Sequence, residues 1–221
     1  MHTQYLKYAI KGSSLIEFII IIPVFLLLTL GVIQLSFIYE AKSILNYATF
    51  MSARSGAINY ATQKALLTGL VRSLIPLYSP AKNAQGILMA KKKAYQDISQ
   101  YSSITIINPT REAFNDFAIR NYVSSQLEIP NDMLHVASTS KGASSGVNIQ
   151  DANLLKIRVL YGYKLQVPFV NKIITTIARR FTTNRKELFI LSSGRLPIQA
   201  TATVRMQSAA RLNNWVKSQL R

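Results

Sequence analysis

The sequence predicts an α+β protein in which a long N-terminal transmembrane helix extends into a domain built on an antiparallel sheet packed by helices. Three observations predict it. Phe18 to Ile38 is an apolar run interrupted only by Thr29, Gly31, Gln34 and Ser36, and about 21 residues at ~1.5 Å rise cover the ~30 Å hydrocarbon core of a bilayer. Two later stretches, Leu155 to Val167 and Ile198 to Gln207, alternate apolar and polar residues with the period of a half-buried strand. Segments with helical spacing lie before and between them.

Met1 to Gly12 carries Lys7 and Lys11 and no acid, and is too short to fold alone. Basic residues beside a short N-terminal flank hold it in the cytoplasm, while a long following domain is translocated largely regardless of its charge, so the expected orientation is N-in, C-out. Glu17 is the one carboxylate at the entrance of the apolar run. A charge there costs up to ~3 kcal/mol at the bilayer centre and less near its edge, which marks Glu17 as a functional residue needing a compensating partner. One reading is a secretory signal peptide cut near Ala41 to Ser43, but ordinary signal cores span about 7 to 15 apolar residues. The arrangement fits better a cut between Gly12 and Ser13, which leaves the whole apolar helix attached and makes Glu17 the fifth residue of the mature chain.

Pro23 lacks an amide hydrogen and predicts a kink. Beyond Glu40 no loop cluster appears before Leu74 to Pro80, so the helix is expected to run far past the membrane. Ile44, Ala48, Met51, Ser55 and Ile58, with Ala53, Gly56 and Ala57 beside them, make a narrow face of small side chains. That face suits either the chain's own domain or other subunits. Ser79-Pro80 punctuates the chain.

Gly86 to Tyr101 reads as a helix carrying Lys91, Lys92 and Lys93, and Ile104 to Ile107 as a short strand. A further helix starts at Pro109-Thr110, capped by Thr110, with Phe114, Phe117, Ala118, Tyr122 and Val123 on its apolar side. Ser138 to Gly146 reads as a flexible loop. In the first alternating strand Gly162 marks a bend or bulge. Between the strands Phe169, Ile173, Ile177 and Phe181 recur four apart, followed by Arg185 and Lys186. Packing on the sheet is the first reading of this basic amphipathic helix; interfacial membrane contact and anion binding are the others.

The leader-like GSSLIEF, Pro23 within the apolar run, and YATFMSARSGAINYA (Tyr47 to Ala61) resemble the TadE family of the tight-adherence (Tad or Flp-type, type IVc) pilus system. DANLLKIRVLYGYKLQVP (Asp151 to Pro168) and GRLPIQATATVRMQS (Gly194 to Ser208) resemble the C-terminal part of such proteins, while roughly Gln63 to Gln150 carries no such likeness. The resemblance implies a minor pilin or pseudopilin in which residues 1–12 are a prepilin-type leader, 13–39 the transmembrane helix, 40–79 a helical extension and 80–221 an exported, pilin-like α+β domain. It implies a prepilin peptidase acting at Gly12 and Ser13, Glu17 as the assembly carboxylate, and other pilin subunits and platform proteins as partners. The location implied is the bacterial inner membrane, with the C-terminal domain periplasmic or carried into an extracellular pilus.

Lys and Arg number 26 against nine acids, a formal +17. Setting aside Lys7, Lys11 and Glu17 leaves 24 bases against eight acids, so the excess belongs to the exported part. Such a field attracts polyanions without choosing among them. Lys156, Arg158, Lys164 and Arg205 are the expected polyanion contacts on the polar faces of the two strands. Tyr161 and Tyr163 fall on the opposite face, which disfavours base stacking and leaves only weak, non-specific nucleic-acid binding. A membrane-anchored binding module for DNA or anionic glycans, and an unprocessed membrane scaffold, are the competing functions.

Nothing points to catalysis, a cofactor or a metal. His2 and His135 have no spacing partners, there is no cysteine, and no GxSxG, HExxH or phosphate-binding glycine loop occurs.

Overall fold

The computed structural model describes residues 6–78 and 83–219. Helix α1 (Leu6–Ile58) is 53 residues long and continues through Pro23. It begins inside the segment read as an unfolded leader, because residues added to an existing helix avoid the cost of nucleation. The structure divides into two units. One joins α1 as far as Glu40 to Lys164–Leu196, and the other joins Ala41–Tyr163 to Pro197–Arg221.

In the first unit, large apolar side chains from Leu15 to Leu35 are exposed around the helix, including Phe18, Phe25, Leu28 and Val32. The polar interruptions are paired: Thr29 Oγ1 donates to Phe25 O at 2.9 Å and Ser36 Oγ to Val32 O at 3.1 Å. These bonds hide both hydroxyls within the helix, as a spanning segment requires. Gln34 is buried, and its Oε1 accepts the amides of Gln166 and Val167 at 3.1 and 2.8 Å. Helices α6 (Val170–Phe181) and α7 (Arg185–Ser192) follow and pack on each other.

In the second unit α1 ends at Ile58, well before the predicted break. Tyr60 and Ala61 adopt left-handed backbone and α2 (Gln63–Leu74) folds back. No glycine or proline announces this turn. The Ala57 carbonyl is instead taken by the amides of Gln207 and Ser208, both at 3.0 Å, so the far end of the chain completes the helix terminus. The buried face of α1 is Ala41, Leu45, Ala48, Ser52, Ala53, Gly56 and Ala57. It is rotated from the expected face, leaving Ile58 exposed, and it packs within the chain's own unit. A Cβ on Gly56 would stand 2.6 Å from Leu66 Cδ2 and 3.1 Å from Leu155 Cδ2.

A single 3-10 turn (Ile75–Leu77) follows α2; Ser79-Pro80 lies outside the described residues. Then come α3 (Ala84–Tyr101), capped by Asn83, and β1 (Ser102–Asn108). Helix α4 (Arg111–Phe117) is capped by Thr110 as expected, with Ala113 N donating to Thr110 Oγ1 at 3.2 Å. It stops short of Tyr122 and Val123, which are fully exposed. Asn121 decides this: its Oδ1 accepts the amides of Val123 and Ser124, making the turn between β2 (Ile119–Arg120) and β3 (Leu127–Ile129).

After the one-turn α5 (Ile149–Ala152), β4 (Leu154–Lys164) and β5 (Arg195–Arg205) realise the two alternating patterns. Leu155, Ile157, Val159, Tyr161 and Tyr163 are buried, as are Ile198, Ala200 and Ala202. Strand β4 is central in the order β1-β4-β5, and Pro197 is tolerated because β5 is an edge. The register shift between β1 and β4 lies at Ile106/Asn108 rather than at Gly162. The single sheet expected is in fact two, the second having the order β2-β3-β6 with β6 at Ala210–Arg211. Helix α8 (Asn214–Gln219) packs on β1 and buries Val216.

Candidate functional site

The sequence-predicted assembly site lies on the exposed first half of α1. Gly12 and Ser13 are within the helix, and their side-chain surroundings fall outside the described residues. Glu17 is exposed one turn further on. Four residues of helix rise by about 6 Å and return to the same face, so the Ser13 and Glu17 positions are neighbours along one stripe. Around Glu17 the surface is apolar, with Leu15, Ile16, Phe18, Ile19 and Ile20 all exposed. Buried core helices do not look like this; a helix facing lipid or other apolar helices does.

Sequence reading missed the role of Gln34. It counted only as an interruption of the run, although a residue that can accept two amides beside an apolar segment was a signal.

The four expected polyanion contacts are all exposed. Lys156 and Arg158 share the solvent face of β4, Lys164 ends that strand, and Arg205 ends β5. Tyr161 and Tyr163 are buried. His135 is exposed in the turn after β3. Among the described residues no group of three His, Cys, Asp or Glu is placed to hold a metal ion.

Among the described residues Tyr78 and Asp116 are strongly perturbed, and both serve the fold. Burial raises the Tyr78 phenol, helped by Tyr161 and Asp97; the Tyr78 and Tyr161 hydroxyls are 2.5 Å apart. Asp116 is lowered to about 2, first by the neighbouring Ser145 hydroxyl and then by the backbone of Ser145 and Ser144. The amides carry the well-formed bonds, from Ser145 N at 2.7 Å and from Ser144 N at 3.1 Å, whereas Ser145 Oγ lies outside strict hydrogen-bond geometry. The loop expected to be flexible is thus tied to α4.

The class defined by these features is an α+β protein with, among the described residues, one N-terminal helix long and apolar enough to span a bilayer. Within that class, residues 12–54 match the family of TadE-like proteins. The matched segment is α1 from Gly12 to Arg54, about a fifth of the chain. No curated protein and no solved structure matches the chain.

Proposed function

We propose that this protein is a non-enzymatic minor pilin or pseudopilin of a Tad-type pilus machine, serving surface attachment. It is held in the bacterial inner membrane with its N-terminus cytoplasmic and its α+β domain on the far side. The observation that carries this reading is the coincidence of the TadE-like match with a helix whose first half exposes apolar side chains all round and whose second half packs on its own domain. A prepilin peptidase cuts between Gly12 and Ser13, and other pilin subunits and platform proteins then take up the exposed half.

In this reading Glu17 is the assembly carboxylate. Cleavage creates a positive α-amine at Ser13, and an amine and a carboxylate ~4 Å apart at an effective dielectric of ~20 attract by about 4 kcal/mol. That is comparable to the cost of placing the carboxylate in the membrane. Pairing within one chain stabilises the helix start only; pairing with the amine of a neighbouring subunit fixes the axial register of assembly. We assign Glu17 to the second.

Glu17→Gln separates the two. Intersubunit pairing gives normal insertion and cleavage with loss of incorporation into the pilus machinery. Co-purification of the variant with other pilus subunits at the wild-type level would overturn the assignment.

A further inference from the structure

We infer that α6 and α7 form a second membrane contact, a helix pair lying in the headgroup layer on the C-terminal side of α1 and binding anionic phospholipid. This rests on α1 spanning the membrane and goes beyond the assembly role proposed for it.

The apolar stripe of α6, expected to pack on the sheet, is largely exposed. Val170 is buried, but Ile173, Ile177 and Phe181, which share an arc of about 100° with it, are exposed by 41%, 53% and 83%. Phe169, just before the helix, is 75% exposed, and α7 adds Leu188 and Phe189. Water is a poor partner for such a surface, and its composition is that of an interfacial helix, with apolar residues on one side and bases on the other. From Leu165 to Gly194 the bases are Lys172, Arg179, Arg180, Arg185 and Lys186, against the single acid Glu187.

Position selects the occupant. The exposed apolar stretch of α1 runs from Leu15 to Leu35, about 30 Å, so Gln34 stands at its C-terminal end, where hydrocarbon gives way to headgroups. Gln34 holds the amides of Gln166 and Val167, and α6 starts at Val170. The pair therefore enters at the level of the membrane surface. A second copy of this chain is a poorer occupant, because with 26 bases and nine acids it brings charge of the same sign. Anionic headgroups bring the opposite charge.

The chain has no cysteine, so single sites are available for spin labels in the full-length protein. Ile173→Cys, Ile177→Cys, the polar-face Thr176→Cys and the α1 reference Val24→Cys are labelled and reconstituted in phosphatidylcholine vesicles with and without phosphatidylglycerol. Collision with oxygen, which partitions into lipid, is compared with collision with a water-soluble nickel chelate. The expected result is an oxygen-to-nickel ratio several-fold higher at 173 and 177 than at 176, raised further by phosphatidylglycerol and returned by high salt. Nickel reaching 177 as freely as 176, shielding of 177 from both reagents as in a protein contact, or no response to phosphatidylglycerol would each overturn the inference. A water-exposed label at 24 would instead overturn the spanning role of α1 on which it rests.

Discussion

Gly69 is a point of close approach between α2 and α1, and adding one methyl group there tests the hairpin that closes the second unit. A Cβ on Gly69 would stand 2.9 Å from Ser55 Cβ, 3.0 Å from Ser52 Cα and 3.1 Å from Met51 O. Two of these neighbours are α1 backbone and cannot swing away. The same close approach sets Ser52 Oγ 2.7 Å from Leu66 O and Ser55 Oγ 2.9 Å from Ala65 O. Overpacking of this kind costs about 1–3 kcal/mol, and stretching two hydrogen bonds costs up to ~1 kcal/mol each. Replacing a helical glycine by alanine returns about 1 kcal/mol. The terms sum to a loss between about 0 and 4 kcal/mol, and the expected net effect of Gly69→Ala is its middle, about 2 kcal/mol, or roughly 4 to 8 °C in Tm for a chain of this size. Gly31→Ala is the matched control, because nothing lies within 4 Å of its added Cβ; it is expected to be neutral or slightly stabilising. Thermal unfolding of the full chain in detergent, followed by far-ultraviolet circular dichroism, reads both. Gly69→Ala as stable as wild type would refute the close packing of α2 on α1.

Other expectations follow from the same structure. Asp116 lies near 2 when folded against an ordinary 3.8, so its stabilising contribution is complete above about pH 4 and is lost as pH falls toward 2. Asp116→Asn should flatten acid unfolding across that window and speed amide exchange of Ser144 and Ser145 at neutral pH; unchanged exchange would contradict the tether. Arg211 Nε lies 3.2 Å from Glu128 Oε2, and its guanidinium carbon lies 3.5 Å from the Tyr60 ring centroid. Arg211→Ala should therefore cost about 1–3 kcal/mol in chemical denaturation, since it removes the cation–π contact and leaves a buried carboxylate short of a donor.

What the sequence disclosed was whatever depends on local periodicity. The apolar run, the alternation in β4 and β5 and the Thr110 cap all announce themselves within a few residues. The end of α1 did not, because Ala57 is completed by Gln207 and Ser208 from the far end of the chain. The second sheet was hidden for a similar reason: its strands are two or three residues long, too short to show a period, and are set by the Asn121 turn. The stripe of α6 was visible as amphipathic, but amphipathicity does not say what covers the apolar side. At the candidate site Glu17 was singled out as an acid entering an apolar run, which is what its proposed role rests on, whereas Gln34 was passed over, since its two partners lie more than 130 residues away.

The role proposed for α1 is that of a processed, membrane-held helix that enters an assembly machine. Its most direct test is intact-mass analysis of the protein extracted from its native membrane. The expected result is a chain beginning at Ser13, with the apolar run and Glu17 retained. A chain still beginning at Met1, or one beginning beyond Ile38, would contradict it.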